Sequence, residues 1–152
     1  MNALDGSFGR QSVTAAERRL RIALVFKAVA PRYDLMNDLM SFGIHRWWKR
    51  KLVGGVAAVE GVVVDLAGGT GDVARLLADG QRRVVVCDPS LPMMAIGRGI
   101  GGGPAMTWLA GETEKLSFAD ASVDLLTVAF GLRNATHLAS ALGEIRRVLK
   151  PG

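Results

Sequence analysis

The chain has 152 residues, 49% of them hydrophobic and 22% charged, which suits one folded domain with one core and excludes a disordered chain. Its net charge of +5 lies wholly in the first 60 residues, where ten Lys/Arg face five Asp/Glu, and the remainder balances nine against nine. No apolar run approaches the roughly 20 residues of a bilayer span, no secretory signal is legible, and the single Cys87 excludes an internal disulfide and a cysteine zinc site, so a cytoplasmic protein is expected.

In chain order, Thr14-Ala-Ala-Glu17 has the form of a capping box, and it opens a helix of about four turns in which Leu20, Leu24 and Val25 recur at helical spacing before Pro31. Asp34 predicts the cap of a short second helix carrying Leu35, Met36, Leu39 and Met40. The stretch from His45 to Val59 predicts a third, weakened at Gly54-Gly55. Within it, "HRWWKRK" surrounds Trp47 and Trp48 with Arg46, Lys49, Arg50 and Lys51. The simplest reading is an amphipathic helix with core tryptophans and solvated charges, while a membrane interface or a nucleic-acid backbone would suit the same residues.

After Gly61 four apolar runs of strand length, "VVVDLA", "RVVVCD", "AMTWLA" and "VDLLTVAF", alternate with helical spacers such as "GDVARLL" and "PMMAIGRG". Continuous rather than alternating apolar runs predict strands buried on both faces of a parallel sheet, hence α/β organisation of the Rossmann-like type. The division expected is a helical arm or lid over residues 1–60 and a partial cofactor-binding domain over 61–152.

The first strand-to-helix turn, "DLAGGTGD", runs from Asp65 to Asp72, and the small Ala67, Gly69 and Gly71 let the backbone turn tightly and approach a ligand at the C-terminal edge of the sheet. Asp88 ends the next strand, where a carboxylate can accept both hydroxyls of a ribose. Gly69-x-Gly71-x-x-Ala74 also fits a degenerate dinucleotide fingerprint. A pyrophosphate seeks unopposed N–H groups. Asp65 and Asp72 flank this turn and are expected to repel an anion while suiting the ammonium and sulfonium of S-adenosylmethionine.

Taken together and in this order, "VAPRYDLMNDLMSFGIHRWWKR", "DLAGGTGD", "FGLRN" and "RVLKPG" resemble the UbiE/COQ5 class I methyltransferases, which methylate a ring carbon of quinone precursors, from about Val25 to Gly152. The resemblance implies that Asp65, Gly69, Thr70 and Gly71 form the turn around the methionine part of the cofactor, Gly69 and Thr70 contacting it, and that Asp88 holds the ribose. Glu112 and Thr113 occupy the adenine place, where the family more often has Asp or Asn followed by Ala. Ala129 stands where a serine is common. Only the first four strands of a seven-stranded class I sheet are present, with the C-terminal strands missing, so an unpaired apolar edge on the fourth is expected, covered by another copy or by residues beyond this sequence.

The implied chemistry is methyl transfer to a ring carbon ortho to hydroxyl groups, with removal or polarisation of a phenolic proton. Arg133 and Asn134, just beyond the fourth strand, are the candidates to hold a phenolate or a water acting as base, and Tyr33 and His45 are candidates to close over the same mouth. Against these roles stand a surface salt bridge for Arg133 and a plain helix-surface position for His45. The implied partner is a prenylated benzoquinol or naphthoquinol, with peripheral contact at the inner face of a membrane through the basic, tryptophan-bearing region. A truncated, non-catalytic binding or assembly protein is the alternative. A nucleic-acid methyltransferase is disfavoured, because neither an Asn-Pro-Pro-aromatic nor a Pro-Cys motif follows the fourth strand, and no metal site is read.

Overall fold

A computed structural model describes residues 7–8, 11–32, 39, 41–42, 44–56, 59–78 and 82–152. The chain opens with a small antiparallel pair, β1 (Ser7–Phe8) and β2 (Gln11–Ser12), which the sequence reading did not anticipate. Helix α1 (Ala15–Val29) begins at the predicted capping box: the Thr14 N–H donates to Glu17 Oε2 at 2.8 Å and the Glu17 N–H donates to Thr14 Oγ1 at 3.2 Å. A 3-10 turn over Ala30–Arg32 ends it at Pro31. Of the second predicted helix only Leu39 belongs to the described residues, and it is helical and exposed.

Helix α2 (Ile44–Gly55) stops at the glycine pair instead of continuing to Val59. Its tryptophans correct the simplest sequence reading: no residue of α2 is buried, and Trp47 and Trp48 are 58% and 55% exposed. The reason is helical spacing. Ile44, Trp47 and Lys51 share the outward face, with Trp48 at its border toward Phe130, whereas His45, Lys49 and Val53 point inward and Val53 packs on the core.

The remaining elements are β3 (Gly61–Leu66), α3 (Asp72–Leu77), β4 (Arg82–Asp88), α4 (Leu91–Ile100), β5 (Met106–Ala110), β6 (Leu125–Val128), a 3-10 turn over Gly131–Asn134, and α5 (Leu138–Val148). The four predicted strands form one parallel sheet in the order β5-β4-β3-β6, with the first strand in the middle and β6 at an edge, as expected. Val63 on one face and Val64 and Leu66 on the other have no exposed surface. Val63, Val84 and Val86 meet α3 through Val73, Ala74 and Leu77, and on the opposite face Val64, Leu66 and Cys87 meet Val123 and Val148. Burying the sheet on both sides explains why the strand sequences are unbroken apolar runs.

Buried Arg82 fastens the passage from α2 to β3, its Nε donating to the Val59 carbonyl at 2.7 Å and its Nη2 to that of Val56 at 3.3 Å. In the register, Asp65 lies opposite Val86 on one side and Thr127 on the other. The parallel order therefore brings the C-terminal ends of β3, β4 and β6 together at one edge of the sheet, where loop residues can converge on a ligand.

Candidate active site

Two adjoining cavities, of about 300 and 250 Å³, open at that edge and share Ala67, Gly69, Ala129, Phe130 and Arg133 as walls. The larger lies between Asp88, Glu112, Thr113, Asn134 and the inner face of α1 at Ile22 and Ala23. The smaller is walled by Asp65, Thr70 and Asp72 together with His45 and Lys49 of α2. Gly71 sits behind the turn, buried at φ +80°, and a Cβ there would meet the Trp108 indole at 2.8 Å. Tyr33 lies outside the described residues.

The turn is held by carboxyls from inside the protein. Asp65, 1% exposed, accepts the Ala74 N–H on Oδ2 and the Thr127 hydroxyl on Oδ1, each at 3.1 Å. Burial pushes its carboxyl up to about 7, with the Thr127 and Ala74 hydrogen bonds and the charge of Lys49 pulling the other way. Asp88, 7% exposed, accepts the Gly69 N–H on Oδ2 at 2.9 Å and the Ser90 N–H on Oδ1 at 2.7 Å. Burial raises it as well, against the pull of those two amides.

This bonding corrects the expectation that Asp65 and Asp72 repel anions by bare charge. Asp72 is paired with Lys49 at 3.0 Å and Arg75 at 2.7 Å, so its charge is balanced locally. Burial raises its carboxyl, but the two cations outweigh burial and hold it below the usual carboxylate range. What disfavours a pyrophosphate here is different: the Gly69 and Ala74 N–H groups, which would cradle it, already donate to Asp88 and Asp65.

The same geometry suits a nucleoside. Each Asp88 oxygen has a second lone pair available to a ribose hydroxyl. Gly69, at φ +56°, lines both cavities without a side chain, and a Cβ there would press on the Met93 methyl at 3.2 Å. Glu112 is exposed on the cavity wall, and Thr113 beside it is buried, its hydroxyl donating to Glu114 Oε2 at 3.0 Å.

On the β6 side, Phe130 is held at φ +64°, a left-handed conformation uncommon for a bulky side chain, and backbone strain of this kind gathers at functional sites. The next residue, Gly131, has no room for a Cβ against Ala67. The Phe130 ring stacks on Trp48 of α2 at 6.5 Å and carries the Arg133 guanidinium 5.8 Å from its centroid. Arg133 is exposed and forms this ring contact, and among the described residues it has no surface salt bridge, its plain alternative. His45 is half-buried on the wall of the smaller cavity, its Nδ1 2.6 Å from Ser41 Oγ, and so is not a plain helix-surface residue.

Four residues of this site escaped the sequence reading. Glu114 accepts the N–H groups of Thr136 and His137 and ties the loop after β5 to the start of α5. Burial opposes its charge, but those amides and Thr113 hold its carboxyl below the usual range. Lys49 reads as one charge in a basic run, yet it turns inward to Asp72. Phe130 lies inside the quoted "FGLRN". Arg18 is buried against residues 133–135, and its signal was its spacing, one helical turn before Ile22 on the face that meets the cavity.

Comparison with known proteins gives this arrangement a family. The model of the ubiE/COQ5 methyltransferase family matches residues 13–152. The ubiquinone/menaquinone biosynthesis C-methyltransferase UbiE of Rubrivivax gelatinosus is 60% identical over 150 residues, covering 98% of this chain and 59% of the relative. The mitochondrial 2-methoxy-6-polyprenyl-1,4-benzoquinol methylase of Arabidopsis thaliana is 40% identical over 171 residues, covering 96% and 59%. The chain thus spans about three-fifths of the length of these curated relatives. A methyltransferase solved with the Haloferax volcanii Trm112 methyltransferase activator is 30% identical at a TM-score of 0.68, covering 84% of this chain and 56% of that one. An S-adenosyl-L-methionine-dependent methyltransferase of Methanococcus maripaludis, 20% identical with a TM-score of 0.71 over 83% of this chain and 60% of that one, shares the fold. With its parallel sheet, its glycine turn and a family match reaching from Val13 to Gly152, the chain belongs to the ubiE/COQ5 methyltransferase family.

Proposed function

We propose that the chain takes part in S-adenosylmethionine-dependent C-methylation of a prenylated benzoquinol or naphthoquinol. The observation that carries this reading is Asp88, a buried carboxylate at the end of β4 that holds the glycine turn through Gly69 and lines the larger cavity. The nucleoside of the cofactor belongs in that cavity, with its ribose on Asp88 and its adenine beside Glu112 and Thr113. The turn from Asp65 through Gly71 receives the methionine part, and Gly69 and Thr70 are the contacts. When bound, the cofactor supplies an electrophilic methyl group on sulfur.

The protein's part in the reaction is to orient and to charge the acceptor. A ring carbon ortho to a hydroxyl is a weak nucleophile until the phenolic proton is removed or polarised. Arg133 stands where the two cavities meet, so its guanidinium can hold the phenolate oxygen while Asn134 supports a water that takes the proton. Tyr33 belongs to the same proposed set. The Phe130 ring and Ala129 line this junction beside Arg133.

A prenylated acceptor resides in a bilayer. The outward face of α2, with Ile44 and Trp47 beside Lys51 and Trp48 at its border, supports peripheral contact with an anionic membrane surface. Among the described residues no helix is long and apolar enough to cross a membrane.

The test is calorimetric titration with S-adenosylhomocysteine and with NADH, followed by methyl transfer to a short-chain prenylated quinol. Heat from the former and none from the latter is expected. Binding of NADH alone overturns the cofactor assignment, and cofactor binding without transfer to any quinol overturns the acceptor.

A further inference from the structure

Arg18 is only 6% exposed, yet among the described residues its guanidinium is bonded to carbonyls and not to a carboxylate. Nη2 donates to the carbonyl of Arg133 at 3.2 Å, and Nη1 donates to those of Asn134 at 3.2 Å and Ala135 at 3.1 Å. These are the last carbonyls of the 3-10 turn Gly131–Asn134 and the first beyond it, the groups that a helix end leaves without an internal partner. A buried cation on them acts as a C-terminal cap supplied from another element. One helical turn further along α1, Ile22 and its neighbour Ala23 form a wall of the larger cavity. One guanidinium thus fastens the helix that covers the cavity to the turn that presents Arg133 and Asn134 to it.

We propose that Arg18 is a positioning residue: it holds the Arg133 turn in place beneath α1 and so sets the Arg133 guanidinium against the acceptor, a role that rests on the methyl-transfer reading above. The planar fork reaches three carbonyls at once. A lysine keeps the charge and loses most of the geometry.

The experiment compares Arg18→Met and Arg18→Lys in the full chain, each alone and combined with Arg133→Ala. The measurements are turnover with a short-chain prenylated quinol, S-adenosylhomocysteine affinity and backbone amide exchange. Arg18→Met is expected to lower kcat by about 100-fold, the scale of a misplaced catalytic group, with a smaller loss of cofactor affinity and partial recovery in Arg18→Lys. In the Arg133→Ala background the same substitution should cost about 10-fold or less, the part that passes through Asn134, because two residues acting through one step are not additive. Equal losses in both backgrounds overturn the proposal and leave Arg18 a residue of stability alone. Amide exchange should rise over residues 131–136 while β3 and β4 stay protected, and unchanged exchange in the turn also overturns it. A wild-type chain that transfers no methyl group refutes the functional reading instead. In that case selective exchange in the turn still upholds Arg18 as its anchor, and unchanged exchange refutes it.

Discussion

Asp88 Oδ2 accepts the Gly69 N–H at 2.9 Å, so the carboxyl that ends β4 fastens the glycine turn that follows β3. The same side chain bonds the Ser90 N–H ahead of α4, and its position therefore fixes both backbones around the mouth of the larger cavity. Asp88→Ala leaves two amides without their acceptor and removes the ribose anchor. Hydrogen bonds to a charged group contribute about 1.5–3 kcal/mol each, so losing the two to the ribose should lower S-adenosylhomocysteine affinity by about 100-fold or more. Calorimetry measures the lost anchor, and thermal unfolding of the ligand-free chain measures the cost of the two unpaired amides. An unchanged affinity would separate the turn from cofactor binding.

Asp65 makes a second prediction, in pH. Its carboxyl rises to about 7 from an ordinary value of 3.8, because burial outweighs the help of Thr127 and Ala74. A carboxyl raised on folding contributes stability that is full below its unfolded pKa and is lost as pH rises through the folded one. The wild type should therefore lose stability between about pH 4 and 7 relative to Asp65→Asn, whose amide can still accept from Ala74 and donate to Thr127. Taking the difference between the two proteins cancels the other titrating groups. Parallel urea-denaturation curves across that range would count against a raised Asp65.

The sheet was legible because its cause is local. Unbroken apolar runs such as Val62-Val63-Val64 report burial on both faces, and the turn after Leu66 needs residues with small side chains or none. Asp65 and Asp72 were legible as acids near a turn, but their partners were not, since Thr127 and Lys49 arrive from residues distant in sequence. The charge inferred for the turn accordingly failed, because Lys49 and Arg75 balance Asp72 and burial raises Asp65. Trp47 and Trp48 illustrate the converse. Composition alone leaves an apolar residue free to face the core or the solvent, and only the inward turn of Lys49 and Val53 decides that the tryptophans of α2 face outward.

Arg133 lines both cavities and rests on the Phe130 ring. If it holds the phenolate, Arg133→Ala removes an interaction that strengthens as charge develops on the ring. Turnover should then fall by about 100-fold or more while S-adenosylhomocysteine affinity changes little. Arg133→Lys should recover only part, because a point charge replaces a fork resting on an aromatic face. Wild-type turnover in Arg133→Ala would remove the residue from the reaction.

The last prediction concerns α2. Ile44 and Trp47 stand on its outward face with Lys51, whose Nζ lies 5.5 Å from the Trp47 ring centroid, while His45 and Lys49 on the opposite side wall the smaller cavity. A bilayer touching that outward face is therefore one helix diameter from the proposed acceptor site. Burying a large apolar side chain contributes about 1.5–3 kcal/mol, and each cation near an anionic surface about 1 kcal/mol. The chain should sediment with phosphatidylglycerol vesicles, more weakly in high salt, and Trp47→Ala should reduce binding by about 10-fold or more. Lys51→Glu should do so in a way that salt diminishes. Trp47 is preferred to Trp48 for the test, since Trp48 also stacks on Phe130 and its loss would disturb the cavity. Vesicle binding that is indifferent to Trp47 and Lys51 would move any membrane contact to another face of the protein.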